Sequence, residues 1–582
     1  MAQAQLERPL PLVQPRLRAG WLRPGLLAMA GVSLVVAYLV LGPLVVLVLS
    51  SFRRYRLVGG IEFELTLDNY QTAYLNPAFL EILGNSLLYA AGGSLVALLF
   101  GTLVAWLVER TNVPCRGAFG FMTIATYFVP GVLSTIAWIL LLSPRIGVFN
   151  NLLRLVVPVS EGPLNVNSMG GMIWVFGAHM YPLVFLVTSA AFRSMDPALE
   201  EAAALSGAGL LASLRRVTLG ISRPALISAV LIMLVRALES FEVPLLLGVP
   251  GKVRVLTTEI YGASQRQPPE LGVSAAFGML LLALSVAGVW LYRRATARAE
   301  RFATVTGKGY RPRQLDLGRW RWPIGGLACL FFLATFAAPL LALVWISLFR
   351  FVTQPSLQAL GNVSLFNYQF VARYPAISQA FQNSILNALL AASAVVVITG
   401  CLAWITLRVQ LPGRWMLDGL AFLPIAIPGT IIGVSVLLVY LTLPVPLYGT
   451  LLLITIAHVT MYLPYGMRLL SDALLRVHRE LEEAASLSGA SWLDTARRIL
   501  VPLLVPGIVA AWVYIVTVSF RELSAAIFLT SPQSRVVSVV VFSLWQDGNV
   551  TTTAALGIVV LVVLAVLALV ANRLGVALGA TR

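Results

Sequence analysis

Five charged side chains interrupt long apolar runs: Arg236, Glu239 and Glu242 in "RALESFEVP", and Arg521 and Glu522 in "SFRELS". A charge in apolar surroundings is costly to hold and is therefore a functional candidate. Glu239 and Glu242, three residues apart, share one helix face. Carboxylates on such a face suit a polar path for a cation. The same groups also suit interhelical ion pairs, such as Glu239 with Arg521. These residue types leave both roles open. His179 in "AHMYP" and His458 in "AHVTMYLP" occupy similar places, and each reads as an interhelical hydrogen-bond donor ahead of a ligand.

Other chemistries find no support. Cys115, Cys329 and Cys401 lie far apart without CxxC spacing, so neither a disulfide framework nor a metal site is expected. No HExxH or GxSxG motif is present, and no catalytic residue is assigned. "GKGY" at 307–310 lacks the rest of a GxxxxGK[ST] phosphate loop. Bound ATP, or any other cofactor, is therefore not expected on this chain.

The most informative segments are two polar interruptions. One reads "EEAAALSGAGLLASLRRVTLGISRP" from Glu200 to Pro224, the other "EEAASLSGASWLDTARRILVPLLVP" from Glu482 to Pro506. At one constant offset they share Glu-Glu-Ala-Ala, Leu205 and Leu487, Ser-Gly-Ala, an arginine pair (215–216 and 497–498) and the closing proline. Helix formers open each segment, and acidic residues in a first turn suit the helix dipole. Gly207 and Gly489 then break the run, permitting a φ > 0 turn or a close backbone approach. Apolar residues follow at helical spacing: Leu211, Leu214 and Val217, then Leu493, Ala496 and Ile499. Two short helices meeting at a glycine make a compact knob, and two copies of it make an ordinary interfacial helix a poor reading.

Glu-Ala-Ala, three residues, glycine, about nine residues and then Ile-x-Leu-Pro resembles the "EAA" signature of binding-protein-dependent ABC importer permeases. The matching residues are Glu201, Ala202, Ala203 and Gly207, and Glu483, Ala484, Ala485 and Gly489. Gly220 departs from the pattern where the second copy has Pro502, and Val501 stands for leucine. The resemblance implies that these eight residues form coupling loops, docking two copies of a separate cytoplasmic ABC ATPase that uses the ATP. It also implies a periplasmic solute-binding protein as partner. The fused arrangement, with "FEVPLLLGVPGKVRVLTTEIY" and "FRELSAAIFL", resembles the ferric-iron branch, whose relatives resemble transporters of thiamine, polyamines, phosphonates or sugar phosphates. A secondary transporter of major-facilitator type is the alternative class. The connection "ERTNVPCRG" lacks that family's signature.

The elements that must position these groups follow from composition. Of 582 residues, 59% are hydrophobic and 11% charged, with mean hydropathy +0.87. So little charge cannot cover a water-exposed surface of this size. The class is an all-α polytopic membrane protein with about twelve helices, since spans need ~20 apolar residues. Expected spans are 25–50, 85–108, 118–143, 169–192, 224–248 and 271–292, then 322–349, 383–407, 415–440, 447–470, 504–530 and 553–574.

The halves repeat in parallel: "LDNYQ" recurs as "LFNYQ", Asn85-Ser86 as Asn383-Ser384, and Pro130-Gly131 as Pro428-Gly429. The resemblance adds the type I ABC importer (MetI-like) permease fold. The domain reading is a basic tail (1–24), a first half (25–293, loop 193–223), a basic linker (294–321) and a second half (322–575, loop 471–503). Net charge is +17. Basic residues crowd the tail, the linker and the connections after even-numbered spans, so the positive-inside rule puts both termini in the cytoplasm, and the resemblance implies that the membrane is a bacterial inner membrane. The charge reads as topology and contact with anionic lipid, not nucleic acid.

Overall fold

A computed structural model of the protein describes residues 19–55, 61–154, 162–196, 198–207, 209, 212, 214–299, 315–409, 413–443 and 445–580. Apart from a hairpin pairing Arg53–Tyr55 with Ile61–Leu65, the regular structure is helical. This is the expected all-α polytopic class. The segments 1–18 of the tail and 300–314 of the linker lie outside the described residues.

In the first half the main helices are α1 (Ala19–Ser51), α2 (Phe79–Arg110), α3 (Arg116–Phe128), α4 (Gly131–Leu142), α5 (Met169–Arg193), α6 (Ala198–Leu205), α7 (Arg223–Glu239) and α8 (Leu271–Ala299). In the second half they are α9 (Arg321–Phe332), α10 (Ala338–Ser347), α11 (Pro375–Arg408), α12 (Arg414–Phe422), α13 (Gly429–Thr442), α14 (Leu451–Leu475), α15 (Glu480–Leu487), α16 (Val501–Phe520) and α17 (Val550–Ala580).

Among the described residues, eight helices are long and apolar enough to cross a membrane, or up to eleven if each of three sharply bent pairs is one span. The tenth expected span falls on α14, 25 residues long, outside that count because Arg468 and His458, with the prolines and tyrosines around them, dilute its hydropathy. Twelve crossings remain an expectation.

Two expected straight spans are broken. The helices flanking Pro130-Gly131 meet at 107°, and those flanking Pro428-Gly429 at 108°. Proline removes a donor and blocks the preceding turn. Such breaks are tolerated at membrane depth only where protein or a cavity receives the freed backbone groups.

The repeated motifs hold the helix ends. Asn69 Nδ2 donates to the carbonyls of Ser51 (3.0 Å) and Arg53 (2.8 Å), and Asn367 Nδ2 to those of Ser347 (3.0 Å) and Phe349 (2.7 Å). Ser86 Oγ accepts from Leu256 N at 2.9 Å and Ser384 Oγ from Val537 N at 2.7 Å. Within the first half, α2 and α5 approach closely through small residues, the usual solution where lipid removes the hydrophobic drive. A Cβ on Gly93 would meet the Phe176 ring at 2.6 Å, and one on Gly101 the Tyr181 carbonyl at 2.6 Å. Between halves, α1 packs on α13 and α10 on α4. One buried apolar cluster therefore runs from Leu47 and Tyr89 to Ile431 and Leu556.

Candidate functional site

Each Pro-Gly break opens on one cavity of about 230 Å³ between the halves. Glu239, Glu242, Arg521 and Glu522 all line it, with Arg236 and His179. The structure thus brings the four sequence-predicted path residues together. It also corrects their setting. The expected spans 224–248 and 504–530 end early, at Glu239 and Phe520. Glu239 is the last residue of α7, Glu242 opens the short helical stretch that runs on through Pro244–Gly248, and Arg521 and Glu522 lie in the turn beyond Phe520. Charge at a helix end has backbone and side-chain partners that a straight membrane helix denies it.

The four residues differ in how far they are committed. Glu522 accepts from Ser524 Oγ (2.7 Å), Ala525 N (2.8 Å) and Ala526 N (3.1 Å), so it caps the short helix Ala526–Leu529. His458 Nε2 lies 3.1 Å from the same carboxylate. His458 Nδ1 meets Asn387 Nδ2 at 2.9 Å and Ser519 Oγ at 2.6 Å, an arrangement satisfied when Nδ1 accepts and Nε2 donates. The interhelical role expected of His458 therefore holds. At His179 the Nδ1 atom is buried without a hydrogen-bond partner among the described residues. In the first half the counterparts of Asn387 and His458 are aromatic, with Tyr89 against Phe176 at 5.5 Å between ring centroids and the Tyr89 hydroxyl donating to Ser240 Oγ at 3.0 Å.

Of the two roles left open, the ion pair between Glu239 and Arg521 is not formed. Arg236 Nη1 lies 3.4 Å from Glu239 Oε2 within α7. Its Nη2 crosses to the Tyr465 hydroxyl of the second half. Arg521 Nη1 crosses the other way, donating to the Tyr127 carbonyl at 2.6 Å, with its guanidinium 5.1 Å from the Tyr127 ring centroid. The arginines therefore hold the halves in register through tyrosines. Glu239 Oε1 is left buried without a hydrogen-bond partner among the described residues.

Glu242 is the least committed of the four, and it sits against Gly131 at the start of α4. A Cβ on Gly131 would come within 1.7 Å of its Oε2; at the counterpart Gly429 a Cβ would meet Ser524 Oγ at 2.9 Å. The lining thus offers carboxylate and phenol oxygens, the phenols being Tyr127, Tyr462, Tyr465 and Tyr514.

The two loops with the Glu-Ala-Ala signature are built alike. Gly207 follows α6 with φ +81, and Gly489 follows α15 with φ +83. Both therefore adopt the left-handed turn open to glycine. Around both, an added Cβ would find nothing within 4 Å. Ala202 and Ala484 are exposed, Ala203 is half-buried and Ala485 is buried. Glu483 pairs with Arg479 at 3.2 Å. Glu201 lies in α6, with its side chain outside the described ones. Sequence reasoning left two features unassigned. Leu205 and Leu487, at matching tips, are 91% and 88% exposed. Arg110 and Arg408 pair with Glu200 and Glu482, a link signalled only by their matching places in the repeat.

Over residues 97–301 and 397–580 the chain matches the family described as "Binding-protein-dependent transport system inner membrane component". The chain belongs to that family. Each matched segment carries one Glu-Ala-Ala loop, so a permease domain of MetI-like fold is fused in two copies. That family is of inner membrane components, in keeping with several helices long and apolar enough to cross a membrane. It is 28% identical to the "Ferric transport system permease protein FbpB" of Actinobacillus pleuropneumoniae, over 66% of this chain and 55% of that one. It is 23% identical to the "Fe(3+)-transport system permease protein FbpB 2" of Haemophilus influenzae, over 84% and 88% respectively. The chain spans about half the length of the first relatives it matches, 55% of each. Among solved structures, it resembles a chain from a bacterial ABC transporter importing the acidic polysaccharide alginate. The TM-score is 0.37 at 19% identity, over 49% of this chain and 98% of that one.

Proposed function

We propose that the chain is the membrane subunit of an ABC importer that moves ferric iron, delivered by a periplasmic binding protein, into the cytoplasm of a bacterial cell. The duplicated docking loop carries this reading. Two knobs with the same positive-φ glycine and the same exposed leucine present equal sites to two copies of an ATPase. Glu201, Ala202, Ala203, Gly207, Glu483, Ala484, Ala485 and Gly489 are their coupling residues. The domain limits given above and cytoplasmic termini belong to the same reading, with ATP handled by the partner chains and lipid around the spans.

The cavity is the path. Oxygen donors suit a hard cation, and the names of the relatives point the same way. Arg236 and Arg521, the groups that would favour a phosphonate or sugar phosphate, are already engaged with Tyr465 and Tyr127. Titrating the cognate binding protein with ferric citrate, thiamine, spermidine and a phosphonate tests the cargo. Tight binding of iron alone is expected, and preference for any other solute overturns the iron assignment.

A further inference from the structure

One arginine in each half stands where three elements meet. Arg110, the last residue of α2, directs Nη1 to the carbonyls of Phe192 (3.5 Å) and Met195 (3.4 Å), at the end of α5. Its Nη2 pairs with Glu200 of α6, and both side chains are buried. Arg408, the last residue of α11, donates Nη2 to the carbonyls of Leu474 (3.1 Å) and Val477 (2.6 Å), at the end of α14. Its Nε lies 2.7 Å from Glu482 Oε1 of α15, as an ion pair without aligned hydrogen-bond geometry. Every partner in one half is the repeat counterpart of the partner in the other.

The first clamp has two additional ties. Glu200 also accepts from Thr218 Oγ1 at 2.6 Å, so one carboxylate joins the outgoing and returning arms of the loop around Gly207. The backbone beside Arg110 also anchors the end of the linker: Leu315 N donates to the Arg110 carbonyl at 2.8 Å. Asn112 Nδ2 donates to Asp316 Oδ1 at 2.6 Å. The Gly318 N–H and the Asn112 amide hold the Asp316 carboxyl below its usual range.

Buried charge-assisted bonds are short and directional, and separating them exposes an uncompensated charge. Orphan carbonyls at a helix end accept an arginine readily. The docking helix, α2 and the end of α5 are therefore one unit, and α5 carries His179 into the cavity wall.

We propose that Arg110 and Arg408 are positioning residues of the transport cycle. Each locks a docking helix to the ends of two long helices, so that a push on the loop reaches the cavity as rigid-body motion. The proposal rests on the reading of the loops as ATPase docking sites. Its test uses the full chain reconstituted with its ATPase and binding protein in proteoliposomes, comparing Glu200→Gln, Glu482→Gln, the double variant, and the exchanged pair Arg110→Glu with Glu200→Arg.

The expected result is an assembled complex that still hydrolyses ATP but moves about tenfold less iron per ATP in the double variant. The exchanged pair is expected to recover part of that ratio. An unchanged ratio overturns the proposal. So does a parallel loss of uptake, hydrolysis and assembled complex, because a merely structural clamp gives that pattern. If the unaltered complex takes up iron without its ATPase, the docking reading itself fails, and the proposal with it.

Discussion

The Glu242 carboxylate lies against the backbone of Gly131, close enough that an added Cβ would come within 1.7 Å of Oε2. The blocking atom is the end of a flexible side chain. Gly131→Ala should therefore cost stability only about 1 kcal/mol while displacing the carboxylate from the helix start. Uptake is expected to fall about tenfold. Adding Glu242→Ser reproduces the Gly429–Ser524 arrangement and should restore thermal stability without restoring uptake. Recovery of uptake in that double variant would mean that Glu242 only fills space.

Glu522 and Glu242 line the same cavity but predict opposite phenotypes. Glu522→Ala strands His458 Nε2 and the two N–H groups at Ala525 and Ala526, so a loss of about 2–4 kcal/mol is expected. Glu242→Gln removes charge where no hydrogen bond or ion pair among the described residues depends on it, and should melt like the parent while transporting poorly. Melting curves beside uptake rates in one preparation check both.

Removing the clamp arginines separates burial from chemistry. Arg110 and Glu200 are 1% and 3% exposed, against 12% and 14% for Arg408 and Glu482. Arg110→Ala leaves the more deeply buried carboxylate and should cost about 3–5 kcal/mol. Arg408→Ala should cost less, because water reaches Glu482. Denaturant titration of the two variants in one detergent decides this, and equal losses would show that burial does not set the difference.

At Gly207 and Gly489 the positive φ alone sets the intrinsic cost of a side chain, because the space around each is open. Alanine at either site is expected to destabilise by about 1–2 kcal/mol. A larger loss of ATPase affinity than of stability then reports a partner surface pressed against the turn. Binding isotherms with the isolated ATPase, set against melting of the permease, measure the two separately.

Much of this was legible in the sequence. The helical class, the duplication, the glycine turns and the convergence of Glu239, Glu242, Arg521 and Glu522 all came from residue types and spacing. The right-angled breaks did not, although Pro130-Gly131 and Pro428-Gly429 stood out as a repeated pair. Hydropathy sums over a window and is blind to direction, so each broken helix read as a straight span. Tyr127 and Tyr465 carry no charge to mark them as partners of Arg521 and Arg236, so charge alone leaves a polar path and a Glu239–Arg521 pair equally open. Arg110 and Arg408 read as topology signals, because their second use depends on carbonyls that α5 and α14 expose only at their folded ends.

The most direct measurement is iron uptake by proteoliposomes holding the full chain, its ATPase and its loaded binding protein, with valine at both Gly207 and Gly489. ATP-driven uptake is expected from the parent, with its loss in the double variant while the permease stays folded. Equal uptake in the two, or uptake that follows an ion gradient when the ATPase is left out, would contradict the assignment of the paired loops.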